Sequence, residues 1–111
     1  MTTRPAVFSM RLPRASGERL QRMARRLGWT PSETSARLVE EGLRRNEFAF
    51  IDFRDTSMGR QAFLHGTRLA VWMVVKIARS FAGRVEKVAG HLQRPALYIQ
   101  AALNYARAYP E

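Results

Sequence analysis

A mainly α-helical chain with a few short strands is what this sequence predicts, and three observations carry that prediction. Apolar residues recur at helical spacing, as in Leu20, Met23, Ala24 and Leu27. Helix punctuation brackets those stretches, with Gly28, Thr30-Pro31-Ser32-Glu33, Gly83 and Arg94-Pro95 at the places where helices should start or stop. Extended character is confined to Phe8–Leu12 near the amino end and to the aromatic stretch around Phe48–Leu64.

Met1–Ala6 reads as a short arm containing Pro5. Phe8-Ser9-Met10-Arg11-Leu12 follows as a strand, with Phe8, Met10 and Leu12 on one face and Val7, Ser9 and Arg11 on the other. Pro13 ends it, because proline cannot continue a ladder. This strand has no partner nearby in the chain, and a lone strand leaves its main-chain groups unpaired. A second copy of the chain is the simplest remedy. Two such strands would pair antiparallel, bury their apolar faces on four helices, and present Val7, Ser9 and Arg11 twice over. A two-stranded ribbon of that kind fits the DNA major groove.

The first helix should span about Arg14 to Leu27, weakened at Gly17 and decorated by Arg19, Arg22, Arg25 and Arg26. Gly28 suits the position just past its end. Thr30 as N-cap, Pro31 at the first helical position and Glu33 three residues after the cap start the second helix. It should reach about Arg45 with Ala36, Val39 and Leu43 inward. Leu38 points elsewhere, which suggests a second buried contact, most simply the other subunit.

The pattern changes near Asn46, so two domains are expected, 1–46 and 47–111. Phe48–Phe53 reads as extended, Arg54–Gln61 as a polar loop and Ala62-Phe63-Leu64 as a second strand, giving a small hairpin. Three helical stretches follow, over about Ala70–Phe81, Val85–Leu92 and Ala96–Tyr109. His65-Gly66 turns the chain, Thr67 can cap the next helix, and Arg68 can pin Asp52 or Asp55.

The chain has 111 residues, 19 Lys+Arg and 9 Asp+Glu, for a net charge of +10. Lys76 and Lys87 are the only lysines, so the basic residues are overwhelmingly arginine, whose planar fork suits phosphates and guanine edges. The excess is denser near the amino end: residues 1–46 hold 10 Arg and 4 Glu, net +6. A nucleic-acid partner explains that balance; the competing explanation is a solvated surface in an arginine-favouring genome. With no cysteine, disulfides and thiolate metal sites are excluded. The first residues lack a signal peptide's apolar run, and Leu69–Val75 is too short to cross a bilayer, so a soluble cytoplasmic protein with no membrane partner is expected.

Phe8–Pro13, the Gly28 turn, and Ser32-Glu33 shortly before Arg37 make Phe8–Arg45 resemble the ribbon–helix–helix family of bacterial repressors and antitoxins. The resemblance implies that Val7, Ser9 and Arg11 meet base edges and that Ser32 and Glu33, at a helix start, meet a phosphate. The chemistry is compatible, since Arg11 can fork onto guanine, Ser9 can donate or accept, and Val7 can cover a thymine methyl. Plain helix capping explains Thr30–Glu33 equally.

Gly59, Gly66-Thr67-Arg68-Leu69 with Val71, and Ala101-Ala102-Leu103-Asn104-Tyr105-Ala106 make Ile51–Glu111 similar to the uncharacterised-domain family numbered 433. That family is helix–turn–helix-like, and its members often serve as antitoxins (VapB-like) beside a PIN-like ribonuclease toxin. The sequence departs from it at Ala62 and Ala70, where the family usually has proline, and at Arg60, where it has glycine. The whole chain would then join a ribbon–helix–helix dimerisation domain to a small β-hairpin plus three-helix domain.

Three function classes compete. In the first, the chain is an antitoxin that represses its own promoter as a dimer and neutralises a PIN-like toxin through its second domain. In the second, it is a ribbon–helix–helix repressor without a toxin. In the third, it is a protein-interaction module. Trp72, Met73 and Phe81 are candidates for a partner interface on an almost wholly apolar helix, unless that helix is simply central to a small core. Gln100, Asn104 and Arg107 share a helical face that is either a second DNA surface or an ordinary wet one. Catalysis is not expected: His65 and His91 lie in separate elements without a carboxylate cluster, and no cofactor or metal spacing is present.

Overall fold

A computed structural model describes residues 5–110; Met1–Arg4 of the expected arm, and Glu111, lie outside the described residues. Five helices and one antiparallel hairpin follow in the order α1 (Arg14–Leu27), α2 (Pro31–Glu47), β1 (Ile51–Thr56), β2 (Gly59–Leu64), α3 (Val71–Ser80), α4 (Val85–Leu92) and α5 (Ala96–Ala108). The chain is thus mainly helical with short strands, as expected. No helix of the described residues is long and apolar enough to cross a membrane.

The chain divides into two compact units, Met1–Val39 and Glu40–Glu111, so the division falls inside α2 rather than near Asn46. Side-chain ties account for it. Arg60 of β2 grips Glu41 through two hydrogen bonds of 2.9 and 2.8 Å. Arg44 donates to the Tyr105 hydroxyl at 2.9 Å, and its guanidinium lies 3.7 Å from the centre of the Tyr109 ring. The second half of α2 therefore belongs with the hairpin and α5.

In the N-terminal unit, α1 ends as its sequence requires. Gly28 adopts a left-handed φ of 71°, Trp29 donates its amide to Ala24 O at 2.9 Å, and Gly28 donates to Arg25 O at 3.3 Å. That pair of bonds satisfies carbonyls a helix end otherwise leaves open. At the start of α2, Thr30 and Glu33 exchange side-chain bonds: Glu33 N–H donates to Thr30 Oγ1 at 3.1 Å, and Thr30 N–H to Glu33 Oε1 at 3.0 Å. This is the expected capping box.

Two expectations for residues 5–47 need correction. Residues 5–13 belong to no helix or strand, so Phe8–Leu12 is not a strand in the single chain. A strand exists only through pairing, and among the described residues the segment has no partner. Ala36, Val39 and Leu43 are exposed rather than inward; the residues of α2 that this chain covers include Thr34, Leu38 and Glu41. Thr34 can be buried because its hydroxyl donates to Thr30 O at 2.9 Å. Glu41 can be buried because Arg60 neutralises it.

In the C-terminal unit, the strands run further than expected. Arg54–Thr56 and Gly59–Gln61 are strand rather than polar loop, and only Ser57-Met58 turns. Asp55 faces Arg60 across the ladder, with their side chains 2.9 Å apart, so charge pairing replaces apolar alternation at this end. Phe48–Phe50 is turn rather than strand. Phe50 takes a left-handed φ of 65°, an unusual conformation for a bulky residue, and stacks on Tyr98 at 4.4 Å. Leu64, Val74, Val88, Ile99 and Ala102 form a core closed to solvent, with α5 packed on α3, α4 and β1.

Candidate nucleic-acid interface

The proposed base-reading residues sit together on the segment before α1. Val7 is 90% exposed, and Ser9 and Arg11 are exposed. The intended apolar face is exposed as well: Phe8 at 85%, with Met10 and Leu12 also open. In a lone chain neither face of the segment is covered.

Ser32 and Glu33 lie in the exposed first turn of α2. Because the capping box engages the Glu33 amide, the Ser32 amide and hydroxyl are what this turn offers an anion. The Glu33 carboxylate, a repulsive neighbour for a phosphate, is folded back onto the Thr30 amide. Those hydrogen bonds to Thr30, the backbone one foremost, hold its pKa below the ordinary carboxylate value. Also in this unit, Arg37 lies 5.3 Å over the Trp29 ring, a pairing not foreseen from the sequence.

In the C-terminal unit, α3 is central to the core through Val71, Val74 and Ala78. Its remaining apolar residues divide. Trp72 is 43% exposed and donates its indole N–H to Gln61 at 3.2 Å, whereas Met73 and Phe81 are half-buried. Phe81 packs against the His91 ring at 5.3 Å. The three do not form one fully exposed patch. On α5, Gln100 donates to Asn104 at 2.9 Å, and Arg107 is exposed nearby on the same helix.

The His65–Leu69 loop differs from expectation in two respects. Thr67 does not cap α3, whose N-cap is Ala70 without a side-chain bond. Instead Thr67 is buried; its hydroxyl donates to Leu64 O at 2.8 Å and accepts from the Leu69 amide at 3.0 Å, which locks the loop. Arg68 does not pin the aspartates. Arg54 lies 3.6 Å from Asp52, and Arg60 takes Asp55, so both carboxylates are already engaged. Hydrogen bonds to Glu41, ahead of the opposing cost of burial, raise the Arg60 pKa further above its ordinary value.

Beside that loop lies a cleft of about 550 Å³, lined by Arg54, Thr67, Arg68, Leu69, Leu92 and Arg94 among others. Sequence reasoning missed it, since its arginines come from β1, the loop and the turn after α4, with no local motif to link them. No protein-family profile, curated protein or solved structure matches the chain.

Proposed function

We propose that the chain is a DNA-binding repressor of the antitoxin kind, which dimerises by pairing residues 7–12 of two copies and reads DNA with Val7, Ser9 and Arg11 of both. One observation carries this reading. The segment from Val7 to Leu12 is exposed on both faces and unpaired, and exposed apolar residues recur along α2 at Ala36, Val39 and Leu43. A second copy would satisfy both needs at once, pairing the main chain and covering Phe8, Met10 and Leu12. Charge supports a nucleic-acid partner: the net charge is +10, carried by arginine.

The toxin-neutralising half of the proposal is supported by the resemblance of Gly66–Leu69 and Ala101–Ala106 to the antitoxin-associated family. The partly exposed Trp72 is its candidate anchor. An adjacent reading frame encoding a small protein with spaced acidic residues is the corresponding expectation.

The test is binding to the DNA upstream of its own gene, measured by mobility shift beside sedimentation. The wild type should shift this DNA as a dimer. Arg11→Ala should weaken the complex by about 1–3 kcal/mol and relax base preference. An unchanged affinity and preference would remove the ribbon from the proposal.

A further inference from the structure

The cleft beside the His65–Leu69 loop is positive and rich in side-chain hydrogen-bond donors. Arg54, Arg68 and Arg94 line it, and among the described residues no carboxylate does. Arg54 lies 3.6 Å from the Asp52 carboxylate, which is not among the residues lining the cleft. Arg54 is held in place by donating to Thr67 O and by lying 4.6 Å over the Phe63 ring. Arg68 and Arg94 are exposed, and among the described residues no hydrogen bond or ion pair ties either side chain.

Several of the loop's acceptors are engaged. Thr67 O accepts from Arg54, Leu64 O accepts from the Thr67 amide and hydroxyl, and the Thr67 hydroxyl oxygen accepts from Leu69. A phosphodiester brings acceptors only, and the arginine fork matches its geometry. Half-buried Leu69 and Leu92 complete the lining.

We propose that this cleft is a phosphate-binding site for a nucleic-acid backbone, with Arg68 and Arg94 contacting the phosphate and Arg54 fixing the loop between them. The site rests on the reading that the chain binds DNA, but it does not depend on the ribbon. It supplies affinity without base preference.

The experiment compares the full-length wild type with the double variant Arg68→Ala/Arg94→Ala on upstream and random-sequence DNA duplexes over a salt series. The salt slope should fall by roughly 0.9 for each phosphate that the variant no longer neutralises, equally on both duplexes, with base preference and melting temperature unchanged. Specific wild-type binding with an unchanged slope in the variant overturns the cleft and leaves the repressor reading standing. Non-specific wild-type binding whose slope depends on the two arginines supports the cleft and sinks the repressor. No duplex binding at all overturns both. An effect confined to poly-glutamate or to inorganic phosphate also overturns the nucleic-acid assignment.

Discussion

Among the described residues of Met1–Val39, Ala24 is the one fully buried apolar residue, whereas in Glu40–Glu111 Leu64, Val74, Val88 and Ile99 are all closed to solvent. The C-terminal unit has an interior of its own. The N-terminal unit has well-formed helix ends but almost nothing for them to enclose. Local capping is worth about 1 kcal/mol per site, too little to hold two helices without burial. The difference teaches that correct local signals and a complete fold are separate achievements: the first unit has the signals but encloses little apolar surface of its own.

The contrast between the units is most open to challenge at Phe8. If a second copy covers it, Phe8→Asp removes two buried rings per dimer. At about 1.5–3 kcal/mol each, the dimer dissociation constant should rise by roughly 10²–10⁴. Sedimentation equilibrium measures this, and an unaltered association state would mean the N-terminal unit is completed in some other way. Leu64→Ala addresses the other side. It should destabilise the C-terminal unit by about 2–5 kcal/mol, with a shift in thermal midpoint that does not vary with protein concentration. A concentration-dependent shift would show that this core also depends on assembly.

The smallest effect comes from the cap. Thr30→Ala should cost about 1 kcal/mol, seen as earlier thermal loss of helicity. The Glu33 carboxyl, bonded to the Thr30 amide, should titrate below its usual value of 4.5. Since its folded pKa is depressed, its contribution is present above that usual value and is lost as pH falls through the lower, folded one. An NMR titration with a midpoint at or above 4.5 would contradict the capping box.

Legibility followed the range of the forces involved. The limits of α1 and α4 and the starts of α2 and α5 could be read because Gly28, Thr30–Glu33 and Pro95 act within one helical turn. The hairpin's polar end could not. Arg54–Thr56 and Gly59–Gln61 look like loop until Asp55, Arg60 and Glu41 are brought together, and Glu41 lies in another element. The buried face of α2 was misread for the same reason: Val39 and Leu43 look like core, yet this chain covers Thr34 and Glu41, whose polar groups have found partners. Of the candidate site, alternation places Val7, Ser9 and Arg11 on one face of an extended segment, and their proposed role comes from the family resemblance. The cleft could not be singled out, because Arg54, Arg68 and Arg94 converge only through the fold.

Arg60 carries a consequence for inheritance. One planar guanidinium serves a helix carboxylate and a strand carboxylate simultaneously, a geometry that lysine's single ammonium cannot reproduce. In descendants of this sequence, positions 41, 55 and 60 should therefore change as a set. A lineage that places glycine at position 60 loses the reason for an acid at 41, and that site becomes open to apolar replacement.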